Sequence, residues 1–218
     1  MDGTAAVALA SCDVDARLAV LASGTGTNLQ ALLDDPVVGP WVALVVSDRA
    51  DARALARARD HGVEGVFLDP KGVADRAAYD RALVELLGSR DVGFVVLAGF
   101  MRILGPEVVR AYPNRIVNIH PALLPSFPGA HGIAEAFDGG VKVTGVTVHL
   151  VDEEMDHGPV IGQEPVRVLP GDDLASLEAR IHEVEHRIYP PAIRALIEGR
   201  LKLEGRIVHV LEEDGTDG

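Results

Sequence analysis

From Arg17 onward, short β-branched runs alternate with longer segments rich in Ala, Leu and Arg. Leu18 to Ala22, Val42 to Ser47, Gly65 to Leu68, Gly93 to Ala98 and Ile116 to Ile119 read as strands, and the segments near 27–34, 51–61, 76–88 and 105–111 as the helices between them. This alternation predicts an α/β fold: a Rossmann-like, open and mostly parallel sheet with helices on both faces. After Pro121 the texture changes to a Pro- and Gly-rich loop, a short helix near 131–138, and strand-like runs at Val143 to Val151 and Val160 to Val168. A final helix from about Asp173 to Glu198 carries an apolar stripe of Leu174, Leu177, Ile181, Val184 and Ile188, which Pro190 and Pro191 are expected to kink or interrupt. The expected organisation is a disordered extension over 1–16, a single domain over 17–203 and a tail over 204–218.

Composition narrows the class. With 218 residues and 48% hydrophobic content, the chain buries one substantial core. Its apolar runs fall short of the roughly 18–20 residues that span a bilayer, so no membrane association is expected. A secretory pattern is absent from residues 1–16 and Cys12 is the sole cysteine, which points to a reducing cytoplasmic setting without an internal disulfide. Twenty Lys and Arg against 33 Asp and Glu give a net charge of −13, which disfavours a nucleic-acid partner. A small anionic substrate would need local compensation from backbone amides and a few arginines.

Candidate chemistry falls in three places. Directly after the first strand, Ser23-Gly24-Thr25-Gly26-Thr27-Asn28-Leu29-Gln30 leads into a helix. Glycines let this turn aim free amides at an anion, although the same residue types also serve as ordinary helix caps. The third Gly of a dinucleotide fingerprint and the Lys of a P-loop are both missing, so a monophosphate fits better. Second, the strand ending Asn118-Ile119-His120-Pro121 places Asn118 and His120 on one face at the C-terminal edge of the sheet, where open α/β sheets bind ligands. Third, the acidic loop Asp152-Glu153-Glu154-Met155-Asp156-His157 closes on Gly158-Pro159 between two strand-like runs.

Taken together, the Asn-x-His strand end, the following Leu123-Leu124-Pro125 and the Asp156 before Gly158-Pro159 resemble the catalytic signature of the folate-dependent formyltransferases. The resemblance runs from about Arg17 to Leu203 and includes Leu97 to Leu104 and Glu185-His186-Arg187-Ile188-Tyr189-Pro190. Within that family the 23–30 turn is similar to the phosphate loop of the branch that acts on glycinamide ribonucleotide. Family members acting on tRNA, and the deformylases, carry further domains for which this length leaves no room.

The resemblance implies a formyltransferase fold and a cytoplasmic enzyme of purine synthesis. It would move a formyl group from 10-formyltetrahydrofolate to glycinamide ribonucleotide, without a metal, as a monomer or homodimer. It assigns Asn118, His120 and Asp156 to catalysis, and Gly26, Thr27, Asn28 and Glu185 to the ribonucleotide. The folate falls to Arg76, Met101, Arg102, Ile103, Leu104, Asn118, Val151, Asp152, Glu153, Glu154 and Asp156. Arg102 is expected to supply positive charge for a carboxylate, and His157, where many relatives have a small residue, to face solvent. His149 and His182 stand near matched segments, but their spacing makes no metal site with His120. The same three catalytic residues could instead direct water onto the formyl group, as in a formyltetrahydrofolate deformylase, or line a binding module that performs no chemistry.

Overall fold

The computed structural model describes the backbone of Val7–Ala8 and residues 17–212. In chain order the elements are β1 (Val7–Ala8), β2 (Arg17–Leu21), α1 (Thr27–Asp34), a single 3-10 turn (Gly39–Trp41), β3 (Val42–Ser47), α2 (Arg53–Asp60), β4 (Glu64–Phe67), α3 (Arg76–Gly88) and β5 (Val92–Leu97). They continue with α4 (Pro106–Ala111), β6 (Ile116–His120), α5 (Gly132–Asp138), β7 (Val143–Leu150), β8 (Val160–Arg167), α6 (Leu174–Ile197), β9 (Leu201–Glu204) and β10 (Ile207–Val210). Seven strands form one sheet in the order β4-β3-β2-β5-β6-β7-β8. β4 through β6 run parallel, while β7 and β8 pair antiparallel. The expected α/β fold with a mostly parallel sheet is what the chain adopts.

Alternation along the central strands explains the two helical layers. Leu18, Val20, Phe94 and Val96 point into one cluster with Leu29 and Leu32 of α1 and Leu177, Ile181 and Ile193 of α6. Ala19, Leu21, Val95 and Leu97 point the other way, against Tyr79, Leu83 and Leu87 of α3 and Val108 and Val109 of α4. Because both faces are covered, the strands read as continuous apolar runs instead of alternating ones. Each fully buried aliphatic side chain contributes roughly 1.5–3 kcal/mol, which is what ties the helices to the sheet.

Of the two outcomes expected at Pro190 and Pro191, interruption does not occur: α6 runs as one helix through both. A proline inside a helix costs about 3 kcal/mol. Here the surrounding turns are anchored strongly enough to absorb that cost. Tyr189, Pro190, Ile193 and Ala195 to Ile197 are buried, and the single Tyr189 O–H is shared between the carbonyls of Leu97 at 2.8 Å and Val117 at 3.3 Å. At its other end, Asp173 and Ser176 form a reciprocal capping box.

The ends of the chain also differ from the reading of a bare extension and tail. β10 pairs with β9 in an antiparallel hairpin, and β1 adds to the other edge of β9 through Val7↔Leu203 and Ala8↔Lys202. Strand structure therefore occupies 207–210, inside the expected tail, and Val7–Ala8, inside the expected extension. The rest of 1–16, and 213–218, lie outside the described residues. Among the described residues, no helix is long and apolar enough to cross a membrane.

Removing the hydroxyl that fastens α6 to two strands should loosen the fold measurably. Tyr189→Phe is expected to lower unfolding free energy by about 1–2 kcal/mol. Urea denaturation checks this, and an unchanged midpoint would show that the hydroxyl adds nothing.

Candidate active site

The strand order reverses between β2 and β5, so the crevice lies where their C-terminal ends diverge. β2 leads into the 23–28 turn, β5 into the 98–104 segment, and the neighbouring β6 ends at Asn118 and His120. Ser23, 2% exposed, joins the first two: its amide donates to the Gly99 carbonyl at 3.1 Å, and its hydroxyl oxygen accepts from the Met101 amide at 2.8 Å. The Gly-rich turn and the wall of the neighbouring pocket are one connected piece.

Gly26, the residue before α1, has φ +70, and a Cβ there would stand 2.9 Å from Ala54 Cα of α2. Both constraints demand glycine. No side chain caps the helix that starts at Thr27, so its first amides stay available. Asn28 turns inward, donating from Nδ2 to Glu185 Oε2 at 2.9 Å, while its Oδ1 is buried without a partner. Glu185 is 3% exposed, and the same oxygen lies 2.8 Å from Nδ1 of His182, whose pKa this hydrogen bond raises. Gly26, Thr27, Asn28 and Glu185 thus come together from α1 and α6.

Asn118, His120 and Asp156 converge as well. Asp156 Oδ2 lies 3.5 Å from His120 Nδ1 and accepts from the Gly129 amide at 2.7 Å. The other ring nitrogen of His120, Nε2, donates to the Phe127 carbonyl at 2.8 Å. The close pairing of β7 and β8 holds Asp156 in place. A Cβ on Gly158 would fall 1.8 Å from the Leu150 carbonyl oxygen, and the Leu150 amide donates to Pro159 O at 2.8 Å. The Gly-Pro that follows the acidic loop is therefore a strand-crossing requirement, and it returns the loop with Asp156 facing inward at φ +53.

A fourth residue belongs to this group, one that its position on a strand did not flag. His149 is paired across β6 and β7 with Asn118. Its Nδ1–H donates to the Leu150 carbonyl at 2.8 Å, which leaves Nε2 as the acceptor for Asn118 Nδ2 at 3.1 Å. Burial pushes the His149 pKa below the ordinary imidazole value, outweighing the opposing pull of the Leu150 hydrogen bond and Asp156. The ring stays neutral and fixes which end of the Asn118 amide faces the pocket. The signal available in the sequence was the two-residue alternation that places His149 opposite Asn118 once the antiparallel register is known.

The pocket above these groups is lined by Met101 to Leu104 on one side and Val151 to Asp156 on the other. Arg76 does not line it; its guanidinium donates to the Ile103 carbonyl at 3.0 Å and so braces that wall. Arg102 lies over the Tyr79 ring at 4.8 Å. Burial pushes the Tyr79 hydroxyl up to about 12, so the ring remains neutral under the guanidinium. Glu153 pairs with Arg110 at 3.2 Å. His157 is exposed, as expected, yet not free, since its Nδ1 meets Asp152 Oδ2 at 2.9 Å.

Residues 16–193 match the formyl transferase family. The chain is 40% identical over 184 residues to the phosphoribosylglycinamide formyltransferase of Bacillus subtilis, covering 83% of this chain and 94% of that protein. It is 45% identical to the enzyme of the same name from Mycobacterium tuberculosis, covering 88% and 89% respectively. Among solved structures it superposes on glycinamide ribonucleotide transformylase 1 from Symbiobacterium toebii with a TM-score of 0.88 at 50% identity, covering 92% of this chain and 96% of that one. With the family signature spread over nearly all of the sheet, and with Asn118, His120 and Asp156 brought into one pocket, the chain belongs to the formyl transferase family.

Proposed function

We propose that this enzyme transfers the formyl group of 10-formyltetrahydrofolate to the amine of glycinamide ribonucleotide, releasing tetrahydrofolate, as a cytoplasmic step of purine synthesis. The observation that carries this reading is the convergence of Asn118, His120 and Asp156 in a pocket whose wall is joined through Ser23 to the Gly-rich turn. Relatives named as phosphoribosylglycinamide formyltransferases support transfer over hydrolysis. Met101, Ile103 and Met155 stand 68%, 58% and 55% exposed at the pocket, an apolar rim suited to a flat pteridine ring. Backbone groups of Val151 to Asp156 would meet its polar edge. The amides at Gly26, Thr27 and Asn28 would hold the ribonucleotide phosphate, and Glu185, with the unpartnered Asn28 Oδ1, its amine or hydroxyl donors.

In this scheme the amine attacks the formyl carbon. The carbonyl electrons move onto oxygen, and collapse of the tetrahedral intermediate breaks the bond to the folate nitrogen. The amine loses one proton and the leaving nitrogen gains one. Asn118 donates one Nδ2–H to His149, leaving the second for the developing oxyanion. His120 spends its Nε2–H on Phe127, so its part is charge at Nδ1: a proton there turns the 3.5 Å contact with Asp156 into an ion pair beside the oxyanion. Asp156, acting through water, relays the proton between the two nitrogens.

Asp156→Asn and His120→Ala are each expected to lower kcat by about 10²–10⁴-fold with small changes in KM. Near-normal turnover in steady-state assays of either would remove that residue from the mechanism. Because the neutral His149 orients Asn118, His149→Phe should reduce kcat by roughly tenfold, equivalent to about 1.4 kcal/mol. Since its pKa is lowered, the ring remains an acceptor at neutral pH. Acid that protonates it takes the acceptor away, so the wild type should lose kcat on the acid side. The Phe variant should lose only the share of that limb that His149 contributes, the rest belonging to the Asp156 carboxylate, and coincident pH profiles would contradict this role. Formate release at the same rate with and without glycinamide ribonucleotide would decide for a deformylase.

A further inference from the structure

The Gly-rich turn has three consecutive carbonyls, and each is bonded away from the site. The Gly24 carbonyl accepts from the Ala54 amide of α2 at 3.3 Å, the Thr25 carbonyl from Arg57 Nε of α2 at 2.9 Å, and the Gly26 carbonyl from the Gln30 amide at 2.9 Å. In a trans peptide the N–H points opposite the C=O of the same plane. Holding the Gly24 and Thr25 carbonyls toward α2 therefore turns the amides of Thr25 and Gly26 to the opposite side. Among the described residues, those two amides and that of Thr27 donate to no protein acceptor. Successive N–H groups turned to one side form a concave anion nest.

Of the two bonds that α2 makes to this turn, one comes from its backbone and one from a side chain. Arg57 is half-buried and bridges the turn to α1: besides Thr25, its NH1 donates to Gln30 Oε1 at 2.6 Å. Gln30 in turn donates to Asp34 Oδ1 at 2.7 Å. The guanidinium thus has two of its donors engaged by neutral oxygens, and in a chain of net charge −13 it brings a positive charge to the turn proposed to hold the phosphate. Position 57 lies in an Ala- and Arg-rich helix that reads as an unremarkable polar face, so nothing in the sequence singles it out.

We infer that Arg57 is a positioning residue for phosphate recognition: it fixes the Thr25–Gly26 peptide plane so that the turn presents its amides to the ribonucleotide phosphate. This rests on the reading that the 23–28 turn holds that phosphate. Lysine would keep the charge but not the planar pair of donors, and the rigid fork carries the geometry.

The experiment is steady-state kinetics on Arg57→Ala, Arg57→Lys and Gly26→Val, varying glycinamide ribonucleotide and 10-formyltetrahydrofolate separately, with a thermal melt of each. Loss of one charge-assisted pair of hydrogen bonds should raise KM for the ribonucleotide about 10–100-fold in Arg57→Ala. The folate KM should stay unchanged, kcat should move within about threefold, and Arg57→Lys should recover only part. If Arg57→Ala leaves the ribonucleotide KM alone while Gly26→Val raises it, the assignment of Arg57 is wrong and the turn keeps its role. If neither variant moves it, the turn itself does not bind the phosphate. Full recovery by lysine would overturn the peptide-plane argument in favour of charge alone. Loss of a cooperative melt together with both substrate affinities in Arg57→Ala would also overturn it, because a role confined to the turn spares the folate half.

Discussion

Complete burial of the central strands on both faces is the constraint on which this enzyme depends. Leu18, Ala19, Val20 and Leu21 are all 0% exposed, with α1 and α6 against one side and α3 and α4 against the other. A polar side chain along such a strand would be desolvated without a partner. Chemistry is therefore confined to the points where strands stop, and the order β4-β3-β2-β5-β6 brings three of those points side by side. Ser23, Met101 and the Asn118–His120 pair are neighbours for that reason.

The site that results is rigid because its supports are backbone groups as often as side chains. Phe127 O holds His120, Gly129 N holds Asp156 and Leu150 O holds His149. Each fixes one ring or carboxylate in a single orientation before any substrate arrives, which is the condition for electrostatic stabilisation without reorganisation at the moment of reaction.

Much of the fold was legible in the chain itself. Strand and helix bounds agree with the pattern to within about two residues, because apolar runs flanked by Gly, Asp and Pro leave little freedom. Local rules failed where tertiary packing outweighed them. At Pro190 the buried Tyr189 and its shared O–H keep the helix going, and at 207–210 a strand forms because β9 offers it an edge. Resemblance to the formyltransferase signature pointed to Asn118, His120 and Asp156. The roles of His149 and Arg57 were not legible, since each depends on a register or a helix approach that the linear order does not contain.

Turning the carbonyls of Gly24 and Thr25 toward α2 also sets the range over which the turn is attractive. Exposed amide dipoles act over a few ångströms, whereas the net charge of −13 is felt out to a screening length of about 8 Å at physiological salt. A compact anionic head crosses the wider field once and then meets N–H groups at contact distance. A polyanion, obliged to lie along the surface, meets the repulsion of the whole molecule at every other charge it carries. If the turn holds the phosphate as proposed, the difference between these two distances favours a small anion over an extended one there.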